Sequence, residues 1–158
     1  MSERPTPALH IVPKVPAHLP EMIDLWVAGW SATLPAIDFE ARRGFIVDHL
    51  AALEAAGAAT RLAFDAGNGT LAGFVVVDPA TGYLDQLAVS PTWWGSGVAA
   101  ALLAEARRLS PAGLLLDVNR DNPRAVRFYE REGFQRTGES TNPRSGLPIW
   151  RYEWQVGT

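Results

Sequence analysis

The sequence predicts an α/β (α+β) fold: a central, mixed but mostly antiparallel sheet of about seven strands flanked by about four helices. Three observations point there. Apolar residues recur at helical spacing through the first third of the chain, and three apolar segments joined by short Gly- and Asp-rich links follow. Residues 83 to 119 then read as strand, helix, strand. At 158 residues the chain fits a single domain, 1–158, since one core organises about 100 to 200 residues.

The elements follow in order. Leu9 to Val12 reads as an opening strand, and Pro20 to Ser31 places Leu25, Trp26, Ala28 and Trp30 on helical faces. A second helix is expected over Phe39 to Ala56, with Asp38 as its N-cap. Thr60 to Phe64, Leu71 to Val77 and Tyr83 to Val89 are strands whose short links suggest an antiparallel meander. Beyond Pro91 a helix carries Val98, Leu102, Leu103 and Ala106 on one stripe, and Gly113 to Val118 is an apolar strand. A helix from Pro123 to Arg131 ends at Gly133, and Ile149 to Val156 alternates as a final strand.

Composition excludes several functions. The chain has no cysteine, hence no disulfide, thiolate metal site or cysteine nucleophile, and its three histidines, His10, His18 and His49, lack zinc-ligand spacing; no metal is expected. A net charge of −3 argues against a nucleic-acid partner, which needs a basic face. No apolar stretch approaches the roughly 20 residues of a membrane span. Met1 to Pro7 shows no leader pattern, so a cytoplasmic location is expected.

Ser90 to Ala100 joins a strand to a helix through Gly95 and Gly97, so backbone N–H groups are uncovered where the helix begins. Unpaired donors and about half a positive charge from the helix dipole suit a phosphate or pyrophosphate. Gly95-Ser-Gly97-Val-Ala-Ala100 also satisfies the dinucleotide fingerprint, with Asp117 where a ribose-binding acid would stand. Pro91, Thr92, Trp93 and Trp94 separate Val89 from Gly95, however, and the N-terminal half does not read as a doubly wound sheet.

With Leu87-Ala-Val-Ser-Pro91 running into Trp94-Gly-Ser-Gly97-Val-Ala99, and with Asn122, Ala125, Phe128, Tyr129, Gly133 and Phe134 in one ungapped block, the chain resembles the GNAT superfamily of acyl-CoA N-acyltransferases. The resemblance covers residues 71 to 156 well. One departure is Trp94, at a position where the family usually carries Arg or Gln.

The resemblance implies acetyl-CoA as co-substrate. Backbone groups of Leu87, Ala88 and Val89 would pair with the pantetheine arm, and Trp94, Gly95, Ser96, Gly97, Val98, Ala99 and Ala100 would hold the pyrophosphate, chiefly by backbone amides. Asn122, Ala125 and Tyr129 would face the cofactor, whose arm inserts where strand 83–89 splays from strand 113–118. A homodimer through exposed aromatic residues is a family-level expectation.

Acyl transfer needs a neutral amine, a donor for the developing oxyanion and a proton for the thiolate. By analogy the Val89 N–H receives the thioester oxygen and Tyr129 is the general acid, a phenol near 10 facing a thiol near 8.5. For the base, Asp85 shares side parity with Tyr83 and Leu87; Glu40, Asp38 and Tyr83 stay open. Trp26, Trp30 and Trp93 are candidates for an acceptor pocket, as are Tyr83 and Arg144, the last through a carboxylate on the acceptor. The expected reaction is direct attack by a primary amine of a small molecule or peptide in a ternary complex. A non-catalytic acyl-CoA sensor of the same fold is the alternative.

Overall fold

A computed structural model describes residues 7–155. Met1 to Thr6, read above for a leader, and Val156, expected to close the last strand, lie outside them.

Among the described residues there are seven strands: β1 (Leu9–Pro13), β2 (Ala59–Asp65), β3 (Leu71–Val77), β4 (Leu84–Val89), β5 (Gly113–Asn119), β6 (Gln135–Thr141) and β7 (Pro148–Gln155). Four α-helices accompany them: α1 (Leu19–Thr33), α2 (Arg43–Ala55), α3 (Val98–Leu109) and α4 (Pro123–Arg131). Among the described residues no helix is long and apolar enough to cross a membrane. The second helix starts later than expected, because Glu40–Arg42 forms a 3-10 turn first. Asp38 still serves that turn, its Oδ1 accepting from Ala41 N at 3.2 Å.

β6 was not read from the sequence. Its residues, Gln-Arg-Thr-Gly-Glu-Ser-Thr, are almost all exposed and carry no apolar alternation. Pairing with β7, from Gln135↔Glu153 to Thr141↔Pro148, makes it a strand; it lies at the edge of its sheet, where a polar face is tolerated.

The strands form two antiparallel sheets, ordered β1-β2-β3-β4 and β5-β7-β6. A single parallel bridge, Tyr83↔Leu115, joins them, supported by Leu115 N–H donating to Gly82 O at 2.9 Å. The mixed character of the sheet reduces to that contact. Beyond it β4 and β5 diverge.

β3 is buried along its whole length because both its faces are covered. Val75 and Val77 pack with Leu102, Leu103 and Ala106 of α3, while Phe74 and Val76 pack with Met22 and Trp26 of α1 and Ile46 of α2. Phe74 is fully buried at 0% exposure, so Phe74→Ala is expected to cost about 3 to 5 kcal/mol, read as a lower urea midpoint at unchanged slope. An unchanged midpoint would mean that α1 and α2 do not seal this face. Among the described residues no aromatic is exposed, so the aromatic surface expected for a dimer is not found there.

Candidate functional site

Where β4 and β5 part, a cleft of about 670 Å³ opens between β4, α1, the turn into α3, and α4. Leu87, Ala88 and Val89 form its floor. Ser90 N donates to Ala72 O at 2.8 Å, so by the two-residue alternation of an antiparallel ladder Leu87 and Val89 turn their N–H groups away from β3, into the splay. These are the backbone groups an extended ligand can pair with.

The α3 end of the cleft is built to leave donors open. Gly97, the N-cap, holds φ at 89°, a left-handed conformation suited to glycine, and no side chain caps the helix. Ala99 and Ala100 line the cleft, with Gly95 and Gly97 beside them. Two members of the expected set turn elsewhere: Val98 is wholly buried in the core, and the Ser96 hydroxyl donates to Trp93 O. Only backbone amides remain at those two positions to meet an anion. α4, by contrast, is capped: Asn122 Oδ1 accepts from Ala125 N at 3.3 Å. Asn122, Ala125 and Tyr129 also line the cleft, so Asn122 combines a cap with a place in the wall.

Trp94 takes part in a way its motif position did not announce. Its indole Nε1 donates to Val89 O at 3.0 Å, occupying the carbonyl and leaving the N–H of the same residue open. Arg124 of α4 sits over the Trp94 ring, Cζ 3.5 Å from the centroid, and Nη2 donates to Thr33 Oγ1 at 3.3 Å. Although Arg124 is exposed, lost hydration lowers its pKa, and it has no carboxylate partner among the described residues. Arg127 and Arg131 line the same wall, making it basic.

Tyr129 is 7% exposed, packed edge-on to Phe128 and Phe134, and its hydroxyl makes no hydrogen bond among the described residues. Burial raises its pKa well above the ordinary phenol, so it stays a donor throughout the neutral range.

Trp26, Trp30 and Trp93 line the α1 side. Trp26 Nε1 donates to Gln86 Oε1 at 3.2 Å, and Trp30 stacks on Phe39 with ring centroids 5.7 Å apart. Tyr83 and Arg144 do not line the cleft. The Tyr83 hydroxyl donates to Asp117 Oδ2 at 2.8 Å, and burial first, then that bond, raises its pKa, which keeps the phenol protonated and unavailable as a base. Arg144 lies over Phe45, 4.1 Å from the ring centroid.

The parity argument for Asp85 is corrected by a bulge. Val76 pairs with Gln86 and Val77 with Leu84, leaving Asp85 as an extra residue. Leu84 therefore packs with α3 while Gln86 reaches Trp26 of α1, and Asp85 meets His49 of α2 rather than sharing a face with Leu87. The other carboxylates considered are engaged: Glu40 accepts from Arg43, which lowers its pKa and makes it a poorer base, and Asp38 holds its turn. Asp117, the apparent ribose acid, is paired with Arg151, and the sheets are antiparallel, so the dinucleotide reading fails.

The description of the acetyltransferase (GNAT) family matches residues 19–134, which span both walls of this cleft. The chain belongs to that family. A curated relative, the peptidyl-lysine N-acetyltransferase YjaB of Salmonella typhimurium, is 38% identical over 66 residues; the match spans 42% of this chain and 45% of that protein. The apo form of YjaB from Escherichia coli has the same fold, with a TM-score of 0.75 at 24% identity over 96% of this chain and 99% of that one. So does the PaiA N-acetyltransferase of Thermoplasma acidophilum, solved in complex with coenzyme A, with a TM-score of 0.73 at 18% identity over 93% and 99%.

Within this GNAT chain, sequence reasoning missed the arginines of α4 and the residues His49 and Gln86. A signal existed for the arginines, since Arg124, Arg127 and Arg131 recur at spacings of three and four on one helix. His49 had none, lying 36 residues from Asp85.

Proposed function

We propose that the chain is an N-acetyltransferase that moves an acetyl group from acetyl-CoA to a primary amine of a small molecule or peptide. It would work as one domain, in the cytoplasm, by direct attack in a ternary complex. The observation that carries this reading is the pairing, in one cleft, of an uncapped α3 N-terminus with the inward N–H groups of Leu87 and Val89. The first suits the pyrophosphate and the second an extended pantetheine arm. The free cation of Arg124 and the basic α4 wall support a polyanionic ligand.

In this reading the amine attacks the thioester carbonyl, the C–N bond forms and the C–S bond breaks. The developing oxyanion is received by the Val89 N–H, whose carbonyl partner is already held by Trp94. Tyr129 donates a hydrogen bond to the leaving sulfur. Its raised pKa makes full transfer of the phenolic proton uphill, so donation, rather than complete protonation, is its main contribution. Trp26, Trp30 and Trp93 supply apolar walls for the acceptor. That the Salmonella relative is a peptidyl-lysine N-acetyltransferase supports a primary amine as acceptor.

Initial rates of thiol release with acetyl-CoA and a panel of amines and lysine peptides test the proposal. Intersecting double-reciprocal lines are expected. Parallel lines would indicate a covalent enzyme intermediate, and binding of acetyl-CoA without turnover of any amine would favour a sensor.

A further inference from the structure

A second group of polar side chains lies outside the cleft, where α2 packs near β4. His49 Nε2 and Asp85 Oδ1 are 2.7 Å apart, with side chains 23% and 17% exposed, so the pair is sheltered but reachable. A carboxylate can only accept. In the neutral imidazole the proton therefore sits on Nε2, and Nδ1 carries the lone pair. Nδ1 makes no hydrogen bond among the described residues.

The pair is wired to the cleft. Gln86 Nε2 donates to the same Asp85 oxygen at 2.9 Å, and Gln86 Oε1 accepts from Trp26, which lines the acceptor end of the cleft. At about 3.3 Å per residue, Asp85 lies about 7 Å along β4 from Leu87, so the pair stands next to the near end of the cleft floor. The bulge aims Asp85 at α2.

The charges around the pair are otherwise matched. Asp117 is held by Arg151 and Tyr83, and on the α1 side Asp24 is paired with Arg43, which also holds Glu40. Phe45 stacks on His49 with ring centroids 5.3 Å apart, and Arg144 lies on the Phe45 ring. Asp85 is thus a carboxylate with no arginine or lysine against it, facing the one side chain in this group suited to shuttle a proton.

We propose that His49 is the catalytic base that takes a proton from the acceptor ammonium, relayed through water from the cleft, with Asp85 as its positioning residue. The step rests on the acetyl-transfer reading above and balances as follows. The ammonium gives one proton to Nδ1, the resulting neutral amine attacks the thioester carbon, and the C–S electron pair leaves on sulfur. The second nitrogen proton ends on the thiol, and His49 returns the first to solvent.

The test is His49→Gln in the full chain, because glutamine keeps a donor toward Asp85 and cannot act as the base. Acetyl-CoA binding by calorimetry and the melting temperature are expected to match the wild type. kcat/KM for the amine is expected to fall about 100-fold or more at pH 7. The deficit should narrow toward about pH 10, where a lysine-type amine sheds its own proton. Added imidazole should restore part of the rate to His49→Ala. A merely structural pair would show neither the narrowing nor the rescue. Wild-type kcat/KM for His49→Gln across the pH range would overturn the proposal. Should that variant unfold, Asp85→Asn decides: a lowered kcat with intact acetyl-CoA binding supports the assignment, and full activity overturns it. Failure of the wild-type chain to bind acetyl-CoA would instead overturn the acetyl-transfer reading itself, and this inference with it.

Discussion

An Ala99→Trp chain is expected to bind acetyl-CoA at least about 100-fold more weakly than the wild type, with little change in melting temperature. Ala99 lines the cleft one residue into α3, beside amides that no side chain caps. An indole there covers those amides. Losing two charge-assisted hydrogen bonds, at about 1.5 to 3 kcal/mol each, weakens binding by about two to four powers of ten. Gly97→Trp would block the same place less cleanly. Its φ of 89° is a conformation that L side chains rarely adopt, so strain in the turn would be mixed with occlusion of the ligand. Calorimetry on both chains settles the matter. Equal affinity would show that the anion does not sit at the α3 N-terminus.

Tyr129→Phe is expected to lower kcat about 100-fold while leaving the KM for acetyl-CoA nearly unchanged. The change removes one hydroxyl from a ring locked between Phe128 and Phe134, so the wall of the cleft keeps its shape. The sign of the pH dependence follows from burial. With its pKa raised, Tyr129 remains protonated at every pH at which an ordinary phenol, near 10, is still protonated, so it contributes no falling alkaline limb in that range. Thiol release measured by stopped flow reads both effects. A wild-type kcat for Tyr129→Phe would remove the hydroxyl from the mechanism.

Legibility from sequence divided along a physical line. The strand end, the Pro91 to Gly97 turn, the α3 stripe and the Asn122 to Phe134 block are local patterns, each carrying its own conformational signal. They predicted the side of the fold that holds the glycine turn into α3, and the strand that floors the cleft. β6 escaped because a polar edge strand has no periodic signature of its own and exists through its pairing with β7. The bulge at Asp85 escaped for a related reason: one extra residue is defined only against the partner strand, and it reverses the side on which every later residue of β4 falls. The meeting of His49 with Asp85, and of Arg124 with Trp94, depends on helices arriving from 36 and 30 residues away, which no short window contains.

Trp94 and Arg124 act as one unit rather than as two independent side chains. Restoring the arginine common at position 94 in this family would look like a repair in any residue-by-residue ranking. Here it would set a second guanidinium beside Arg124 and take the indole donor from the Val89 carbonyl. The effect of either residue is thus conditional on the other, a local case of epistasis that single substitutions would misjudge and the double substitution would expose.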